Sequence, residues 1–183
     1  MCHNAEETPA PIKTGQQRPP IMLQDFEGPD YGTWRTTGEA FGTGPAGGKL
    51  EAWQEVRGFE GKGLANSFRR GDSTTGTLVS PEFTIQRKHI NFLVGGGHFP
   101  ASPAGVELVT LKIDGVVVLS TTGDNDERLR WETWDVSRYE GKQARIEILD
   151  TRPYPGGHIM VDQVEMSDEK RRKPEAGFNR MVD

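Results

Sequence analysis

A chain of 183 residues with one cysteine is long enough to bury a core without disulfide staples, yet short for two ordinary domains. Charged residues make up 27% of it and hydrophobic ones 33%, and its 23 glycines and 12 prolines favour many short strands joined by turns over a helical bundle. The net charge of −5, with Lys and Arg dispersed, leaves no basic stripe for a phosphate backbone, which excludes nucleic acid as a partner, and no stretch reaches the ~20 apolar residues of a membrane span.

Residues 1–20 hold two proline clusters, Thr8-Pro9-Ala10-Pro11 and Arg18-Pro19-Pro20, without an apolar period, and are expected to be a disordered tether. Cys2 follows the first Met and precedes a polar leader. That placement fits the acylated start of a bacterial lipoprotein, or an incidental thiol. On the first reading the protein is secreted to an extracellular, periplasmic or cell-surface location and is lipid-anchored through Cys2.

The folded unit is expected at 21–168. Strands fit 21–26, 33–41, 63–69, 76–85 and 158–166, separated by Gly, Pro and Asp clusters. Ile90, Phe92 and Val94 alternate with Asn91 and Leu93, and Ala144, Ile146 and Ile148 with Arg145 and Glu147, as in half-buried or central strands. Leu108–Ile113, then Asp114-Gly115, then Val116–Leu119, reads as a hairpin, because Asp-Gly supplies the positive φ angles of a type I′ turn. Residues 169–183, with the run Lys170-Arg171-Arg172-Lys173, read as a polar linker. The fold class is therefore all-β, a two-sheet antiparallel β-sandwich or jelly roll.

The usual enzyme motifs are missing: Gly-x-Ser-x-Gly, His-Glu-x-x-His, a P-loop and a cysteine cluster. Asn66, Arg69, Arg70 and Asp72 form a polar cluster suited to vicinal hydroxyls, or a solvated hairpin tip. Gly95-Gly96-Gly97-His98 ends a strand, where glycines allow close approach of a ligand or a bulge, and His98 would sit at the rim. Asp124-Asn125-Asp126-Glu127 reads as a solvated turn. Trp34 and Trp134 read as core, whereas Trp53, Tyr31 and Tyr154 sit among polar, Gly or Pro residues and are expected to be exposed and free to stack on a sugar ring.

The opening Asp25-Phe26-Glu27-Gly28 with Trp34, Gly38 and Ala40-Phe41, and the closing His158-Ile159-Met160-Val161-Asp162-Gln163-Val164, resemble the galactose-binding-like jelly rolls to which many carbohydrate-binding modules belong. The intervening Phe59-Glu60-Gly61-Lys62, Leu64–Phe68, Gly71-Asp72, Thr75–Ile85, Ile90–Gly97, Trp134-Asp135-Val136 and Gly156–Asp162 resemble the accessory β-sandwich of bacterial glycoside hydrolase family 32 levanases and fructan β-fructosidases. The catalytic propeller of those enzymes, with its Trp-Met-Asn-Asp-Pro-Asn-Gly and Glu-Cys motifs, has no counterpart.

The resemblance implies a non-catalytic carbohydrate-binding module that holds a neutral glycan, with fructan favoured, beside a glycoside hydrolase domain. Its ligand-binding candidates are Trp53, Asn66, Arg69, Asp72, His98, Tyr154 and His158. It also implies a structural Ca²⁺ on Asp25, Glu27 and Asp162, although these carboxylates could equally cap turns. Two other readings stay open: an interaction domain that packs on a catalytic domain without touching sugar, and a glycan-active hydrolase or lyase.

Overall fold

The computed structural model describes residues 17–50 and 53–171; Cys2, most of the expected N-terminal tether and the tail past Arg171 lie outside the described residues. Among the described residues eleven strands form: β1 (Ile21–Gln24), β2 (Arg35–Gly38), β3 (Ala65–Asn66), β4 (Gly76–Val79), β5 (Phe83–Thr84), β6 (His89–Gly96), β7 (Glu107–Ile113), β8 (Val116–Thr121), β9 (Asp126–Asp135), β10 (Gln143–Asp150) and β11 (Ile159–Ser167). They pair antiparallel into two sheets, β1-β11-β6-β9 with β3 also on β11, and β2-β4-β10-β7-β8 with β5 also on β10. This is the expected two-sheet jelly-roll sandwich.

Period-two alternation builds the main core. Phe92, Ile90 and Val94 of β6 and Val161 of β11 face Leu111 and Val109 of β7 and Ile146 and Ile148 of β10, and Phe26, Trp34 and Trp134 pack at the margins. The β7–β8 turn is the predicted one, with positive φ at Asp114 (52°) and Gly115 (76°). The expected strands at 33–41 and 63–69 shrink to four and two residues, because the chain leaves the ladders at tight turns. Strand β9 was not expected: only Leu129, Trp131, Thr133 and Trp134 break its charged sequence, Asp126-Glu-Arg-Leu-Arg-Trp-Glu-Thr-Trp-Asp135.

The first sheet is covered on both sides. A second, smaller cluster forms on its outer face, where Val56, Phe59 and Leu64 from the long connection between β2 and β3 pack on Leu93, Leu129, Met160 and Trp131. Backbone bonds fasten this connection: Arg57 N donates to Glu127 O and Leu129 N to Arg57 O, so residues 55–58 run along β9. The small core fixes where Trp53 and Gln54 emerge.

Phe92 is fully buried and lies edge-on to Trp134 with ring centroids 4.7 Å apart. Phe92→Ala should cost about 3–5 kcal/mol in a urea unfolding curve; a loss under about 1 kcal/mol would show that this ring contributes little to the core between the sheets.

Candidate functional site

Beyond the hydrophobic core, at one end of the sandwich, the inter-sheet space becomes polar. His158, just before β11, is buried and has a carboxylate on each ring nitrogen: Nδ1 lies 2.9 Å from Asp72 Oδ1, and Nε2 lies 2.7 Å from Glu127 Oε1. Asp72 is itself anchored by the Gly156 amide, which donates to Oδ2 at 2.7 Å. Glu127 Oε2 accepts from Gln54 Nε2 (3.2 Å), Gln54 Oε1 accepts from Asn66 Nδ2 (3.3 Å), and Asn66 Oδ1 accepts the Phe68 amide (3.0 Å). The Phe68 ring closes the circle, 5.0 Å from the imidazole and 4.8 Å from the indole of Trp53.

Trp53 is 65% exposed although both of its links to the fold are buried, namely Gln54 beside it in sequence and Phe68 beneath its ring. It lines a cleft of about 260 Å³ with Glu55, Arg57, Asp126, Glu127 and Arg128. Burial alone would lower the pKa of His158, but the bonds and charges of Glu127 and Asp72 outweigh it and raise the pKa above its ordinary value. With a carboxylate facing each nitrogen, both contacts are hydrogen bonds only for the doubly protonated ring, the form that the raised pKa favours.

A second acidic pair lies behind the imidazole. Glu107 and Asp150 are opposite each other in the β7–β10 ladder, and both are fully buried. Among the described residues neither Glu107 oxygen has a hydrogen-bond partner, nor has Asp150 Oδ2, and Arg152 stands 4.0 Å from Glu107 with its guanidinium stacked over Phe99. Desolvation and the neighbouring Asp150 push Glu107 up to about 8, and desolvation pushes Asp150 up to about 7 against the bonds it accepts from Ser67 and the Arg152 amide. Gly97 adjoins the pair: a side chain there would collide with Glu107 Oε2, so the glycine run serves close packing.

Among the residues expected to bind a ligand, Trp53, Asn66, Asp72 and His158 meet in this network. Tyr154 is exposed next to it, its carbonyl accepting the Gly157 amide. Arg69 lies apart, donating to the carbonyls of Gly44 and Pro45, where it fastens a loop. His98 bonds Thr122 Oγ1 at 2.7 Å and stands outside the network. Tyr31 is buried, contrary to expectation, because its hydroxyl finds the Phe41 carbonyl at 2.8 Å. Glu127, Gln54, Phe68, Glu107 and Asp150 were not singled out from sequence. Glu127 looked like part of a solvated turn, and only the ten-residue span of β9 could have exposed the error.

The expected calcium ligands divide. Asp25 Oδ1 accepts the Glu27 amide and caps its own turn. Glu27 and Asp162 converge on one loop, Glu27 accepting the amides of Lys62 and Gly63 at 2.9–3.0 Å and Asp162 that of Glu60 at 2.8 Å. Burial, with Glu27 and Glu60 nearby, pushes Asp162 up to about 7. Among the described residues no group of three or more His, Cys, Asp and Glu side chains is gathered to hold a metal. All four oxygens of Glu27 and Asp162 accept backbone amides, those of Lys62 and Gly63 on Glu27 and those of Glu60 and Gln163 on Asp162.

No family model matches the chain. Over 153 residues it is 41% identical to glycosyl hydrolase ecdE of Aspergillus rugulosus, a match that covers 82% of this chain but 21% of that protein, so the chain spans about a fifth of the relative's length. Among solved structures it resembles the K2 adhesin domain of Lys-gingipain (TM-score 0.53, 14% identity, covering 81% of this chain and 99% of that one). The carbohydrate-binding module TmCBM61, solved with β-1,4-galactotriose, is similar at TM-score 0.51 and 13% identity, covering 78% and 94% of the two chains. A cyclase from Fischerella sp. TAU reaches the same TM-score, 0.51, at 14% identity, covering 85% of this chain and all of that one. At such low identities the shared feature is the sandwich fold, which carries binding and catalytic proteins alike.

The raised carboxyl pKa values set a pH dependence. A group that holds its proton more tightly when folded stabilises the fold fully below its unfolded pKa of about 4, and this contribution is lost as pH climbs through the folded value. Glu107, Asp150 and Asp162 should therefore lower the melting temperature between pH 5.5 and pH 8.5. Glu107→Gln, measured by differential scanning fluorimetry, should flatten that fall; an unchanged slope would mean that Glu107 is already ionised at pH 5.5 in the folded protein, its pKa not raised.

Proposed function

We propose that the domain is a non-catalytic carbohydrate-binding module whose neutral glycan lies in the cleft beside Trp53. The exposed indole carries this reading. A large apolar ring held edge-on to Phe68, with one side open to solvent, is a ready platform for a sugar ring. Around it Glu55, Arg57, Asp126, Glu127 and Arg128 mix acceptors with donors, which matches the hydroxyl groups of an uncharged sugar and gives no net attraction for a polyanion. Asp72, His158, Gln54 and Asn66 act beneath the cleft as positioning residues.

The relatives support the reading from two sides. A glycosyl hydrolase in which this segment makes up about a fifth of the length has room for a separate catalytic part, and TmCBM61 holds a galactan fragment on the same fold. Fructan is the glycan favoured by the sequence resemblance, and β-1,4-galactan is the competitor suggested by the structural neighbour. A polymeric glycan as ligand would place the protein outside the cytoplasm, and the compact unit would extend past 21–168 to Arg18, which pairs with Asp168, and to Arg171, which pairs with Glu165.

A second reading, an interaction domain without sugar contact, draws on the exposed Val116 and Val117 at the β7–β8 hairpin tip. Affinity electrophoresis against levan, inulin, galactan and unrelated glycans separates the two. Trp53→Ala should weaken retention at least about tenfold, about 1.4 kcal/mol, with the melting temperature nearly unchanged. Retention by no glycan would reject the module reading in favour of the interaction domain.

For calcium, the proposed ligands are Glu27 and Asp162. Added Ca²⁺ should raise the melting temperature of the wild type by a few degrees relative to EDTA, and Asp162→Asn should remove the response. A wild type indifferent to Ca²⁺ would leave the two carboxylates as clamps on the loop at 60–63.

A further inference from the structure

We propose that the glycan site is proton-linked: His158 holds the cleft assembled only as an imidazolium ion, and loss of one ring proton releases Glu127 and loosens the wall that carries Trp53. This rests on the module reading above and adds regulation to the same site.

The geometry of the imidazole carries the inference. Its two nitrogens face two carboxylates at 2.9 and 2.7 Å, and a carboxylate can only accept. Both contacts are hydrogen bonds only while both nitrogens bear protons. A neutral ring has one N–H, so the other nitrogen would turn a lone pair on a carboxylate in a poorly solvated place, and one contact must open.

Asp72 is the partner that stays. Its second oxygen is held by the Gly156 amide, and its side chain is 20% exposed against 33% for Glu127. The proton therefore leaves from Nε2 to water, and Glu127 turns toward solvent. Glu127 is the acceptor for Gln54, whose other end accepts from Asn66, and Gln54 is the residue after Trp53. Releasing Glu127 thus frees a fully buried amide of Gln54 to seek a new partner, and the Trp53 segment shifts with it.

The charged groups around the ring agree on the direction of the switch. Asp72 faces it from the loop after β3 and Glu127 from β9, while Asp150 of β10 and Glu107 of β7 act on it electrostatically from behind. Arg152 beyond them is a fixed cation whose charge does not change. As Asp150 and Glu107 ionise near neutral pH they add negative charge behind His158 and help it to keep its second proton, so opening belongs to the alkaline side.

The test is an NMR pH titration of the ligand-free protein, following the Trp53 indole N–H, assigned by Trp53→Phe, together with the His158 ring. Both should move with one midpoint above the ordinary histidine value of ~6.5, and His158→Gln should abolish the Trp53 transition. Glu127→Gln, which keeps a hydrogen-bonding group in place, should likewise uncouple Trp53 while His158 still titrates. A Trp53 signal that is flat through the His158 titration, or that moves unchanged in either variant, overturns the proposal. In the glycan arm, affinity should fall about tenfold between pH 6 and about pH 9.5, and an affinity unchanged over that range also overturns it. Retention of no glycan at pH 6 rejects the module reading instead, and the NMR titration still decides the proton linkage.

Discussion

One buried imidazole, bonded on both nitrogens, determines how this end of the sandwich closes. His158 ties the start of β11 to β9 through Glu127 and to the loop after β3 through Asp72, three segments far apart in sequence. Such a group is stabilising only as a complete set. Removing one member of a buried charged network leaves a charge without compensation, which typically costs about 3–5 kcal/mol, as much as truncating a large core side chain. The carboxylates are thus fixed in place by the same bonds that close the sheets.

A site of this kind needs a rigid frame, and the frame comes from covering the first sheet twice. Its inner face joins the main core, and its outer face is sealed by Val56, Phe59 and Leu64 from the long connection between β2 and β3. That connection would otherwise be a loose surface loop. Pinned to β9 by backbone bonds at Arg57, it presents Gln54 inward and Trp53 outward, so the exposure of the indole follows from the burial of its neighbours.

The fold was legible because its rules are local. Alternation at Ile90–Val94 and Ala144–Ile148 marked the two central strands, and Asp114-Gly115 marked a turn whose positive φ angles few other dipeptides supply. Trp34 and Trp134 were recognisable as core for the same reason. The site was legible only in part, since hydrogen-bond partners far apart in sequence leave no periodic trace. Asp72 and His158 could be named as polar residues in suggestive motifs, but nothing in their neighbourhoods announces Glu127, 31 residues from His158 in the chain. Tyr31 shows the opposite error: beside glycine it looked exposed, and one hydroxyl–carbonyl bond was enough to bury it.

The least readable residues of all, Glu107 and Asp150, share a property that bears on function. They occupy inward positions of β7 and β10 that alternation would fill with Val or Ile, and they leave three carboxylate oxygens without partners. A substitution to apolar residues of similar size would satisfy the packing rule and remove the desolvation penalty. Where a sequence breaks local rules without compensation nearby, the break is expected at a site under another demand. Here the break stands directly behind His158, and its negative charge favours the imidazolium that the two bonded carboxylates require. The unsatisfied pair and the satisfied chain in front of it are therefore parts of one electrostatic arrangement, in which strain at the back of the ring holds the geometry at its front.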